Sequence, residues 1–75
     1  MSEFYRQCRL KRVNGQVDMV WIPEDFAHKG KYIQVLRKGF WENGWQVIEV
    51  YDRASEEYLL KHERDYKVQR AASDV

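Results

Sequence analysis

One cysteine, two histidines and a pair of adjacent carboxylates are the side chains whose types invite a chemical reading in these 75 residues. Cys8 with a histidine could form a nucleophile and its base. His28 and His62 lie far apart in the sequence, and neither has partners at metal-ligand spacing. There is no His-x-x-x-His, no Cys-x-x-Cys and no acidic loop of calcium type. Glu24-Asp25 is a weak general acid/base pattern and a better helix-start pattern. Ser2, Ser55 and Ser73 sit in no Gly-x-Ser-x-Gly turn, and no glycine-rich phosphate loop occurs. Cys8 shares strand parity with Phe4 and Leu10, which marks it as a small core residue. The chain is therefore expected not to be an enzyme, with no catalytic residue, no metal ligand and no cofactor.

The elements that would position these residues read as strands first. Residues 3–13 alternate imperfectly, with Phe4, Cys8 and Leu10 on one parity and Tyr5, Gln7, Arg9 and Lys11 on the other. Asn14-Gly15 is a hairpin signal, because both residues tolerate positive φ. A second strand over about 16–22 puts Val17, Met19 and Trp21 on one side, with Trp21 pointing inward, and Pro23 ends it. Residues 23–30 suit one helical turn or a compact loop in which Phe26 plugs a gap and His28 stays at the surface. A third strand spans about 31–37. KGFWENG (Lys38–Gly44) reads as a turn and 45–51 as a fourth strand, apolar on nearly both faces. From Asp52 the alternation stops. Ser55 is a good cap, and Tyr58, Leu59, His62 and Tyr66 recur at helical spacing, which predicts a helix over about 55–69 and a frayed tail at 71–75. The expected fold is α+β and β-dominated: four short antiparallel strands as a small SH3-like barrel or curled sheet, then a C-terminal helix, in a single domain over 1–75.

Thirteen basic residues against 12 acidic give a net charge of +1, so no global field draws the chain to nucleic acid or membrane. No apolar run approaches the roughly 20 residues of a membrane span. The lone cysteine and the polar opening Met-Ser-Glu-Phe-Tyr-Arg favour a cytoplasmic protein with no membrane contact. Aromatics make up 15% of the chain, more than a core this small easily hides. Tyr32, Phe40 and Trp41 are the candidates for an exposed aromatic patch. Arg6, Arg9 and Arg12 line the first strand, and such a basic rim beside aromatics is the mixture that small barrels use to hold single-stranded nucleic acid.

Three stretches together resemble small phage-encoded proteins of unassigned function: WIPEDFAHKGKYI (Trp21–Ile33), NGWQVIEVY (Asn43–Tyr51) and SEEYLLKHERDYKVQRAASDV (Ser55–Val75). The pattern covers most of the chain. The resemblance implies a gene product acting in a bacterial host cytoplasm by binding a host or viral macromolecule, and it assigns no catalytic residue. The expected function is a protein-interaction module whose aromatic patch meets a host or viral protein, or a second copy of itself. A single-stranded nucleic-acid binder is the alternative.

Overall fold

One long strand organises the computed structural model, which describes residues 4–62 and 67–73. β1 is Phe4–Arg12, β2 Val17–Pro23, β3 Tyr32–Arg37, β4 Phe40–Ser55 and β5 Ala71–Ser73. A 3-10 turn, Glu24–Phe26, follows β2, and one short helix, α1 (Glu56–Lys61), follows β4. The five strands form one antiparallel sheet in the order β2-β1-β4-β3-β5. The β-dominated α+β class expected from the sequence is the observed one.

The sheet has five strands, not four, and it is not closed into a barrel. Its two ends approach through a single parallel bridge between Trp21 and Val68. There Trp21 N–H donates to the Lys67 carbonyl at 2.7 Å, and Gln69 N–H donates to the Trp21 carbonyl at 2.9 Å. The Leu36 N–H donates to the Arg70 carbonyl at 3.1 Å, and β5 then pairs with β3. The expected helix over 55–69 is thus shortened, and part of the expected frayed tail is a strand. Ser55 does cap α1, accepting the Tyr58 N–H at 3.1 Å. Beyond Lys61 the expected helix crosses residues 63–66, which lie outside the described residues. At 67–73 the backbone pairs with two sheet edges instead of with itself, and open edge groups outcompete a solvated helical turn.

β4 starts five residues before the expected fourth strand. The turn that precedes it is only Lys38-Gly39, with φ of 49° and 82°, the two positive angles of a type I′ hairpin. Asn43-Gly44, read as part of a turn, is a bulge. Both residues oppose Gln34 alone, with Gly44 at φ 79°. Two further bulges face β1: Ile48 falls between the pairs Arg9–Glu49 and Leu10–Val47, and Tyr51-Asp52 oppose Gln7. The Ile48 bulge also explains why β4 reads as apolar on both faces. Trp45 and Val47 face the core before it, and Val50 packs on the core after it, on the other parity.

The core is one cluster from four strands: Cys8 and Leu10, Val20 and Ile22, Ile33 and Val35, Trp45 and Val47, all fully buried. Ala27, Phe26 and Ala71 close it. Val20 and Ile22 supply β2's inward face, so Trp21 takes the opposite face, contrary to the sequence expectation, while Val17 and Met19 are exposed. Trp21 is still buried, as is Leu59 of α1, both outside the main cluster.

Trp45 is the largest fully buried side chain. Its indole N–H donates to Glu42 Oε1 at 3.3 Å, and the Arg37 and Arg12 guanidiniums lie over its ring at 5.1 and 5.4 Å. Trp45→Ala should cost about 3–5 kcal/mol, which rivals the whole stability of a small domain. Chemical denaturation checks this, and a variant that unfolds at the wild-type midpoint would contradict the burial.

Candidate functional site

The basic face expected on β1 is largely tied into the fold. Arg6 Nη1 donates to the Tyr51 carbonyl at 2.9 Å, and its Nε lies 3.4 Å from Glu24 Oε2. Arg53 takes the same carboxylate at 2.8 Å and lies 3.8 Å over the Phe4 ring. Arg12 Nε donates to the Asn43 carbonyl at 3.2 Å. Of the three candidates, Arg9 alone is exposed, set across from Met19 and Glu49 on the neighbouring strands.

A second charged group spans the open side of the sheet. Asp18 on β2 pairs with Arg37 on β3 and with Lys67 at 3.2 Å, and it also accepts the Met19 N–H at 2.9 Å. Arg37 Nε lies 3.4 Å from Glu42 Oε1 without hydrogen-bond alignment. Burial by itself would raise the Asp18 carboxyl. The hydrogen bonds from Lys67 and Arg37, with the Arg37 charge, outweigh burial and hold it below the usual carboxylate value.

The structure does not gather Tyr32, Phe40 and Trp41 into one patch. All three are exposed, Phe40 most at 75% and Tyr32 and Trp41 at 46% each. Phe40 and Trp41 are the first two residues of an extended strand, only Phe40 adjoining the Lys38-Gly39 turn, so they point to opposite faces. Tyr32 borders a shallow depression with Lys11, Arg12 and Gln46. Trp41 lines a cleft of about 530 Å³, whose apolar wall is completed by Tyr5, Pro23, Phe26 and Ala71.

Polar groups converge at the same cleft: Asp25 from the 3-10 turn, Glu56 from the start of α1, and Arg70 just before β5. Burial, followed by the Glu56 carboxylate, pushes the Tyr5 hydroxyl above its ordinary value, and Arg70 partly opposes this. Asp18, Glu24, Glu42 and Glu49 all have basic partners. Asp25 and Glu56 form no ion pair among the described residues. Sequence reasoning missed Tyr5, Pro23 and Arg70 as site residues. An aromatic on the wet parity of β1 was the one available signal. A separate depression of about 600 Å³ holds Gln7, Trp21, Asp52 and Tyr58, but Trp21 is nearly covered and Arg53 there is committed to Glu24.

Among the described residues no Ser, Thr, Cys, His or Lys lines the cleft. Cys8 lies elsewhere, in the core, its Sγ 3.7 Å from the Arg6 carbonyl. Burial pushes its thiol up to about 11, with Arg6 pulling slightly the other way. His28 is exposed, and the His62 ring rests 4.5 Å from that of Tyr58. Among the described residues no three His, Cys, Asp or Glu side chains are grouped to hold a metal ion. No helix there is long and apolar enough to cross a membrane. No family model, curated protein or solved structure matches the chain.

Two outcomes follow from these environments. Cys8 should react slowly with a thiol reagent in the native protein and rapidly once unfolded, and fast native labelling would show that the core opens at β1. Asp18 has a folded-state pKa below its unfolded value, so its contribution is complete above about 3.9 and is lost as pH falls through the lower folded value. Asp18→Asn should cost about 1–3 kcal/mol at neutral pH. Arg37 carries most of this, since Lys67 is largely exposed and its share is screened. Denaturant titrations across the acid range should show the gap between variant and wild type closing. A constant gap would mean that the Asp18 charge contributes nothing.

Proposed function

We propose that this chain is a non-enzymatic protein-interaction module, of the small phage type that its sequence resembles, acting in a bacterial cytoplasm. Its contact surface is the Trp41 cleft. The observation that carries this is the cleft itself: a half-exposed Trp faces Tyr5, Pro23 and Phe26 across a concave wall bordered by two carboxylates that form no ion pair among the described residues. Trp and Tyr in a concavity are the residues on which protein contacts concentrate their energy. The core gains little from a Trp left half in solvent, whereas a partner that covers it gains a large apolar area.

Single-stranded nucleic acid is the second reading, and one observation favours it. Tyr32 beside Lys11 and Arg12 combines a stacking ring with cations. Against it, Arg6 and Arg12 already hydrogen-bond to backbone carbonyls within the fold. The few cations left would give a weak, steeply salt-dependent complex.

The test is capture of bacterial proteins by the immobilised chain at low and high salt, beside its Trp41→Ala variant. Truncating a central Trp typically costs about 2 kcal/mol or more of binding, which is about thirtyfold. The variant should melt within a few degrees of wild type yet lose its captured protein, and the wild-type complex should survive high salt. Binding that Trp41→Ala leaves intact, or retention of an oligonucleotide that falls steeply with salt and depends on Tyr32 and Lys11, would move the site to the other face.

A further inference from the structure

We infer that the Trp41 cleft receives the Lys38–Phe40 hairpin tip of a second copy of this chain. This rests on the reading of the cleft as a protein-binding site and names its occupant. Lys38 and Gly39 form the β3–β4 turn, and Phe40 is the first residue of β4. Lys38 is exposed and forms no ion pair among the described residues. Phe40 is 75% exposed, far more than a ring of that size requires. The tip thus presents one free cation next to one bare aromatic ring. The cleft presents the complement: an apolar wall of Tyr5, Pro23, Phe26 and Trp41, and the carboxylates of Asp25 and Glu56. Among the described lining residues, two carboxylates stand against one cation, Arg70.

Position adds to chemistry. Phe40 adjoins Trp41 in the chain, so the tip stands at the edge of the cleft, on the other face of β4. A two-fold pair would make the contact reciprocal. Each copy then gives its tip and receives its partner's, so every contact is made twice. A tip cannot fill the cleft beside it in its own chain, because Phe40 and Trp41 point to opposite faces of the same strand.

Charge exchange tests this directly by sedimentation over a wide concentration range. The wild-type chain should form a reversible dimer. Lys38→Asp retains a residue type that tolerates the positive φ of 49° at that position, and it places a carboxylate against the acidic cleft. Asp25→Lys with Glu56→Lys places cations against Lys38. Each variant alone should weaken the dimer about a hundredfold, because like charges meet at both contacts. Mixed in equal amounts the two should associate again, as a heterodimer in which both contacts are matched. Phe40→Ser, which leaves the core untouched, should also yield monomer. A monomeric wild type, undiminished association of either charge variant, or a mixture that stays monomeric overturns the inference. If the wild type is monomeric while Trp41→Ala still abolishes capture of another protein, only the assignment of the tip fails. If Trp41→Ala changes neither property, the cleft reading fails with it.

Discussion

β4 is too long for the molecule that contains it. A straight strand of its 16 residues would run about 50 Å at ~3.3 Å per residue, yet the longest dimension of the molecule is 33 Å. The strand must bend, and it does so where bulges add residues without adding pairs and sharpen the local twist. The rest of the architecture follows from that bending. β4 pairs with β3 near its start and with β1 over most of its length, so its curvature is imposed on both neighbours. It also brings Trp41, at the start of the strand, and Glu56, just past its end, to one cleft. Straight, the strand would hold them on opposite ends of the protein.

The features legible in the sequence were those decided locally. The Asn14-Gly15 hairpin, the stop at Pro23 and the Ser55 cap depend on one or two residues each and stand where expected, although of the hairpin pair only Gly15 takes positive φ. Cys8 and Leu10 announced the buried face of β1 because no bulge interrupts that strand. Gly44 was misread because a bulge and a turn ask for the same backbone freedom, and only the partner strand tells them apart. In Val20-Trp21-Ile22 either parity is apolar, so sequence alone could not choose which residue faces the core. The end of α1 was illegible because its competitor is not local: residues 67–73 answer to the edges of β2 and β3. For the site, Trp41 was legible as an aromatic the core does not need. Its cleft was not, since Tyr5, the Pro23–Phe26 stretch and Arg70 come from three separate places in the chain.

A net charge near zero conceals how strongly the charges are sorted. Guanidinium groups act here as multi-point connectors, a role their planar geometry suits better than a lysine ammonium. Arg6 and Arg53 converge on Glu24, joining β1, β4 and the 3-10 turn. Arg37 and Asp18 join β3 to β2, which are not neighbours in the sheet, so an ion pair spans a gap that no ladder closes. Asp18 also occupies the Met19 N–H, on the same edge where Trp21 meets Val68, and so withdraws a donor from an edge that could recruit another strand. Carboxylates left over from this internal stitching stand out all the more at the cleft.

The pairing of Phe4 with Ser55 has a kinetic consequence. Two hairpins, β1–β2 and β3–β4, close through short turns and bring together residues close in the chain. The central β1–β4 ladder closes a loop as long as Phe4 to Ser55, and its entropic cost is met before any of its hydrogen bonds reward it. Assembly is therefore expected to proceed from two early hairpins to a late docking step. The second half of β4 waits unpaired until β1 arrives, with Val47 and Val50 uncovered in the interval.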